Sequence, residues 1–130
     1  MVGFVLVSHS RKLAEGAAEL GHLMAPEVPV EAAGGLPDGS PGTDYETILN
    51  AIEKVSLPGV DAVLIIMDMG SSCMTAEMVL EERGDAFPPA MMIDCAFAEG
   101  TVTAMVGASA GDDVETIIKE AMEAGKASKF

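Results

Sequence analysis

Strand-like apolar runs and helical faces alternate along this chain, which is the pattern of an α/β domain built on a parallel sheet. Gly3 to Val7 reads as a buried first strand. From Arg11 to Met24, Leu13, Ala17, Leu20, Leu23 and Met24 fall on one helical face, with Ser10 where an N-cap belongs. Pro26 and Pro29 close that helix, and Val28 to Ala33 makes a short second strand. Residues 34 to 42 contain four glycines and two prolines and can only be a loop.

Thr43-x-x-Glu46 has the form of a capping box and is followed by Tyr45, Ile48, Leu49 and Ile52 at helical spacing. Pro58-Gly59 breaks the chain. Ala62 to Met67 is apolar throughout, as a central parallel strand must be. Met69 to Ser72 turns into a helix ending near Arg83, and Ala90 to Ile93 gives a fourth strand. A helical stretch, weakened by Gly100 and Gly107, covers Phe97 to about Ser109. Asp112-x-x-Glu115 then caps a last helix expected to bury Val114, Ile117, Ile118, Ala121 and Met122.

Four parallel strands joined by right-handed crossovers predict a doubly wound sheet in order 2-1-3-4, with helices on both faces. No internal repeat or long linker divides residues 1–130, so a single domain is expected. In that order the direction of winding reverses between strands 1 and 3, and ligands bind beyond the carboxyl ends there. Strand 1 runs out into Ser8-His9-Ser10-Arg11-Lys12 and strand 3 into Asp68-Met69-Gly70-Ser71-Ser72. Adjacent strands lie about 4.8 Å apart, so His9 and Asp68 form a candidate hydrogen-bonded pair.

Composition narrows the chemistry. With 21 acidic against 7 basic residues the net charge is −14, which phosphate backbones repel, so no nucleic-acid partner is expected. The longest apolar runs are about six residues, far short of the ~20 needed to cross a bilayer, so no membrane partner is expected either. The N-terminus reads as a strand and not an export signal. Cys73 and Cys95 are too far apart for a CxxC pair and, with two histidines, make no zinc pattern; reduced thiols in a cytoplasmic protein are expected, with no metal and no cofactor.

A carboxylate that accepts a hydrogen bond from one imidazole nitrogen fixes the tautomer and leaves the other nitrogen free as a nucleophile or ligand. The first amides of the helix after His9 point at the same place, beside Arg11 and Lys12, the only cations in the first 53 residues. A phosphoryl group on His9 would meet positive potential there. Phosphoryl transfer asks mainly for alignment and charge stabilisation, so such a site needs no metal ligands, only a partner that docks and excludes water.

The segments Gly3 to Gly16, Ala32 to Gly35, Gly42 to Ile48 and Ile66 to Ser72 closely resemble the phosphotransfer subunits of phosphoenolpyruvate-dependent dihydroxyacetone kinases, relatives of the mannose-type IIA domains of the sugar phosphotransferase system. The resemblance implies a histidine phosphocarrier. HPr would phosphorylate His9, and the group would pass to ADP held by the DhaL subunit, whose ATP phosphorylates dihydroxyacetone on DhaK. It also implies a homodimer, with Asp68 orienting the imidazole and phosphate on the ring nitrogen farther from the backbone. Thr43 and the loop Gly34 to Gly42, Gly35 included, would lie near the phosphate, as would Ser10, Arg11, Lys12, Gly70 and Ser71. Some family members continue into carrier-like domains, whereas this chain would depend on separate general carriers.

Three other readings use the same crevice. A response-regulator receiver would phosphorylate Asp68, but needs an acidic pair where Ser8-His9 stands. A metal chelatase would use His9 as a ligand, and His22 on a helix is badly placed to join it. A non-catalytic binding module would use the crevice only to hold a ligand.

Overall fold

The computed structural model describes residues 1–130. Its elements are β1 (Val2–Ser8), α1 (Arg11–Met24), β2 (Val30–Gly34), α2 (Tyr45–Val55), β3 (Ala62–Met67), a 3₁₀ turn (Gly70–Ser72) running into α3 (Cys73–Arg83), β4 (Ala90–Ile93), α4 (Phe97–Ser109) and α5 (Val114–Ala124). All strand pairs are parallel, in the order β2-β1-β3-β4 expected from the alternation of elements. No helix is long and apolar enough to cross a membrane.

Strand alternation sorts the core into two layers. Phe4, Leu6, Leu64 and Ile66 point to one side, where Ala17, Met105, Ile117 and Ala121 from α1, α4 and α5 cover them. Val5, Val7, Val63 and Ile65 point to the other, covered by Ile48 and Ile52 of α2 and Val79 of α3. β1 and β3 are thus buried on both faces, which accounts for their unbroken apolar runs.

The expected apolar face of α1 needs correction. The helix buries Ala14, Ala17 and Gly21, whereas Leu13, Leu20, Leu23 and Met24 are exposed. Close packing is the reason: a Cβ on Gly21 would lie 2.3 Å from Met105 Sδ of α4, so only small residues fit the contact. Both expected capping boxes are displaced by one residue. Asp44, not Thr43, caps α2 by accepting from the Thr47 N–H at 2.9 Å, and Asp113, not Asp112, caps α5 through Thr116 at 2.8 Å. In α5, Ile117 and Ala121 are buried while Met122 is exposed, and β2 begins two residues later than Val28.

Candidate functional site

β1 and β3 are neighbours in register, with Val7 opposite Met67, so their carboxyl ends deliver the next residues side by side. The Asp68 N–H continues the ladder onto Val7 O at 3.0 Å. The Asp68 side chain then turns under His9. Its Oδ2 accepts from the Ser8 hydroxyl at 3.0 Å and the His9 N–H at 3.2 Å, and its Oδ1 accepts from the Met69 N–H at 2.8 Å. His9 Nδ1 lies 3.2 Å from Oδ1 and 3.3 Å from Oδ2.

The Asp68 side chain is only 5% exposed, against 28% for that of His9. Burial raises the Asp68 pKa, but the bonds from the His9 N–H, the Ser8 hydroxyl and the His9 ring, with the ring's charge, outweigh it and hold the carboxyl below its ordinary value. Asp68 is therefore an anion and can only accept, which places the ring proton on Nδ1. Nε2 keeps its lone pair and faces the Ser71 hydroxyl at 3.0 Å. The ring is fixed at one nitrogen and open at the other.

The other expected residues have several distinct settings. Ser10 caps α1, its hydroxyl accepting from the Leu13 N–H at 3.2 Å while its own N–H donates to Ser8 Oγ at 3.0 Å. Arg11 is turned to the loop, donating from Nη2 to Leu36 O at 3.1 Å and Pro37 O at 3.3 Å. Lys12 is exposed, with no ion pair or hydrogen bond to its ammonium. Gly70 opens the 3₁₀ turn that presents Ser71.

Gly35 and Thr43 are otherwise employed. The Gly35 N–H is taken by Ser8 O at 3.1 Å, so this amide is not available as a phosphate donor. Its φ of +73° favours glycine, and a Cβ on neighbouring Gly34 would sit 2.5 Å from Ser10 O, so the pair lets β2 end beneath the first turn of α1. The Thr43 hydroxyl pairs with that of Thr75 at 2.9 Å, and the Tyr45 hydroxyl donates to Glu82, tying the start of α2 to α3. The loop holds itself through Leu36, Asp38 and Ser40, and the Gly42 N–H bonds His9 O at 2.9 Å.

Ser8 and Ser72 were not among the expected site residues. Ser8 is wholly buried at the end of an otherwise apolar strand, and that lone polar residue was the available signal. Ser72, also buried, donates to Met69 O at 2.7 Å and shapes the turn after Asp68. On the far side of Asp68 a 280 Å³ crevice opens between the ends of β3 and β4, lined by Met67, Met69, Met92 and both cysteines among others. Both thiols are free, and burial, then the Asp94 charge, pushes Cys95 up to about 11, so it stays protonated at neutral pH. His22 stands near the far end of α1, roughly 17 Å along the helix from its start, so the two imidazoles share no site.

Comparison with known proteins agrees with this geometry. The family model EIIA-man, described as the PTS system fructose IIA component, matches residues 3–118. The chain is 37% identical to the Escherichia coli K12 protein "PEP-dependent dihydroxyacetone kinase, phosphoryl donor subunit DhaM", over 99% of this chain but 28% of that protein's length. It is 33% identical to the Lactococcus lactis "PTS-dependent dihydroxyacetone kinase, phosphotransferase subunit DhaM", over 93% of each chain. The crystal structure of "unknown function protein EF1359" superposes with a TM-score of 0.86 at 26% identity, over 99% of this chain and 98% of the other. A four-stranded 2-1-3-4 sheet, a family match over most of the chain and similarity to DhaM subunits, one of them covered over 93% of its own length, lead to one assignment: this chain belongs to the mannose-type EIIA family, in its DhaM branch.

Proposed function

We propose that residues 1–130 act as one histidine phosphocarrier domain in which His9 Nε2 takes a phosphoryl group from phospho-HPr and gives it to ADP on a DhaL-type subunit. The observation that carries this reading is the asymmetry of the ring: Nδ1 is held by a buried carboxylate while Nε2 is presented at the surface. The family assignment supplies phosphotransfer as the setting.

In the first step the Nε2 lone pair forms a bond to phosphorus as the P–N bond of the donor phosphohistidine breaks, its electron pair returning to the donor ring. His9 retains its Nδ1 proton throughout, so the phosphorylated imidazole carries positive charge on the ring, and the Asp68 carboxylate offsets it. In the second step a β-phosphate oxygen of ADP attacks phosphorus, the N–P bond breaks and its electron pair returns to Nε2. The ATP formed would serve the phosphorylation of dihydroxyacetone bound to DhaK. The Ser71 hydroxyl, now on Nε2, would swing to donate to the phosphoryl oxygens, and Lys12 with the first amides of α1 would add positive potential.

Incubation with phosphoenolpyruvate, enzyme I and HPr should add one acid-labile, base-stable phosphoryl group, absent in His9→Ala and present in His22→Ala. ADP-loaded DhaL should then discharge it. Phosphate on His22, or an acyl phosphate on Asp68, would overturn the assignment.

A further inference from the structure

We propose that the crevice between the ends of β3 and β4 is a site for a soft monovalent metal ion, Cu(I) or its analogue Ag(I), held by the sulfurs of Cys73 and Cys95 and completed by the thioether of Met69. Binding there goes beyond the phosphocarrier reading and does not depend on it. Five of the nine residues that line the crevice carry sulfur: Met67, Met69, Cys73, Met92 and Cys95. They include both cysteines of the chain and three of its ten methionines, so sulfur is gathered here far beyond its share of the sequence.

Topology supplies what spacing does not. Cys73 begins α3, just after the turn that leaves β3, and Cys95 follows two residues after Ile93, the last paired residue of β4. Ile93 is paired with Ile66 of β3, so the two strands end together and both thiols reach one rim. Neither cysteine is in a disulfide, and both are partly exposed, which gives an ion a way in. Met69 is 56% exposed, and its three rotatable bonds let the thioether follow an ion, whereas Met67 and Met92 stay packed against the core layer under α2 and α3.

Donor softness selects the ion. Thiolate and thioether sulfur favour Cu(I), for which two or three such ligands suffice, while structural Zn²⁺ takes four ligands of thiolate, imidazole or carboxylate type. No three His, Cys, Asp or Glu side chains of this chain are grouped to hold a metal, so the crevice is not built for zinc. The Asp68 carboxylate is already taken up by the Ser8 hydroxyl and the His9 and Met69 N–H groups. Asp94, exposed at the mouth, adds negative charge that draws a cation. On binding, each thiol gives its proton to solvent as its sulfur bonds the ion, and no electron is transferred.

Met69 and Cys73 flank the turn that presents Ser71 to His9 Nε2, so an ion between them fixes that turn. Anaerobic titration of the full chain with Cu(I) or Ag(I) against a competing chelator should show one ion per chain, with Zn²⁺ failing to displace it. Cys73→Ser and Cys95→Ser should each lower affinity by about 10²-fold or more, and Met69→Leu, which removes the sulfur and spares the fold, by about tenfold. Met91→Leu, outside the crevice, should leave affinity unaltered. No bound ion, two ions held independently by the two thiols, or zinc held as tightly as Cu(I) would overturn the proposal. Bound Cu(I) should also slow phosphoryl uptake in the native chain and not in Cys95→Ser. That last effect rests on the phosphocarrier reading; binding is measured without any phosphoryl donor, so a chain that takes up no phosphate would sink that reading and leave the metal site standing.

Discussion

His9 Nδ1 and the Asp68 carboxylate meet at 3.2 and 3.3 Å although 59 positions separate the two residues in sequence. The contact exists because β1 and β3 are adjacent and end level, and because the carboxylate is itself held by Ser8, the His9 N–H and the Met69 N–H. An anion fixed by three donors cannot follow a moving ring, so the ring is aligned to the acid. This rigidity is the part of catalysis that a phosphocarrier can supply before its partner arrives.

Removing the carboxylate should therefore cost rate more than fold. Asp68→Ala is expected to slow phosphoryl uptake by about 10²-fold or more, and Asp68→Asn by less, since an amide oxygen still accepts from Nδ1–H but no longer offsets the charged ring. Nitrogen shifts of the imidazole provide the decisive readout. Native protein should hold the proton on Nδ1, and Asp68→Ala should release it to a mixture; an unchanged tautomer would remove Asp68 as a positioning residue.

The same carboxylate gives the stability profile an acid limb. Its folded pKa lies below the ordinary value of about 3.9, so its contribution is present above that pH and lost as pH falls through the folded value. Denaturant midpoints should accordingly drop more steeply below about pH 4 for native protein than for Asp68→Asn. Parallel curves would show that the depressed carboxyl is not what links this site to stability.

Much of this was legible in the alternation of elements. Strand order followed from four apolar runs and right-handed crossovers, and that order set His9 beside Asp68, with Ser71 from the turn after Asp68 reaching the ring. The sequence misled where small residues do the packing. On α1 the template finds leucines, but Ala14, Ala17 and Gly21 are what α4 and the sheet approach. Capping-box spacing is degenerate when Thr43-Asp44 and Asp112-Asp113 each offer two adjacent caps, and hydrogen-bond geometry chose the second in both. The charge of Arg11 is visible in sequence, whereas the carbonyls of Leu36 and Pro37 that its guanidinium bonds are not.

That division between Arg11 and Lys12 can be separated experimentally. Lys12→Gln should lower phosphoryl occupancy or carrier affinity with no change in thermal midpoint. Arg11→Gln should also loosen residues 36–37, seen as faster amide exchange in the loop. Neutralising Lys126 and Lys129, whose pairs with Glu123 and Glu99 are exposed, should do neither. Equal effects from all four cations would mean that only overall charge matters.

Cap placement predicts an unequal pair of neighbours. Asp44→Ala removes the acceptor of the Thr47 N–H and hydroxyl and should destabilise the fold by about 1 kcal/mol. Thr43→Val removes a single hydroxyl contact to Thr75 and should cost clearly less. Urea midpoints measure both, and a larger loss from Thr43→Val would return the capping role to it.

Ser71 tests how the open nitrogen is used. In the free protein its hydroxyl donates to Nε2 at 3.0 Å, so attack on phosphorus requires that bond to break. After transfer the same hydroxyl can donate to a phosphoryl oxygen, so one contact is exchanged for another and the net effect on equilibrium occupancy is small. Ser71→Ala should change occupancy by no more than about tenfold, the scale of one hydrogen bond, while shortening the lifetime of the phosphorylated form against water. A loss as large as that of Asp68→Ala would instead make Ser71 indispensable to transfer, and an unchanged lifetime would show that its hydroxyl does not reach the phosphoryl group.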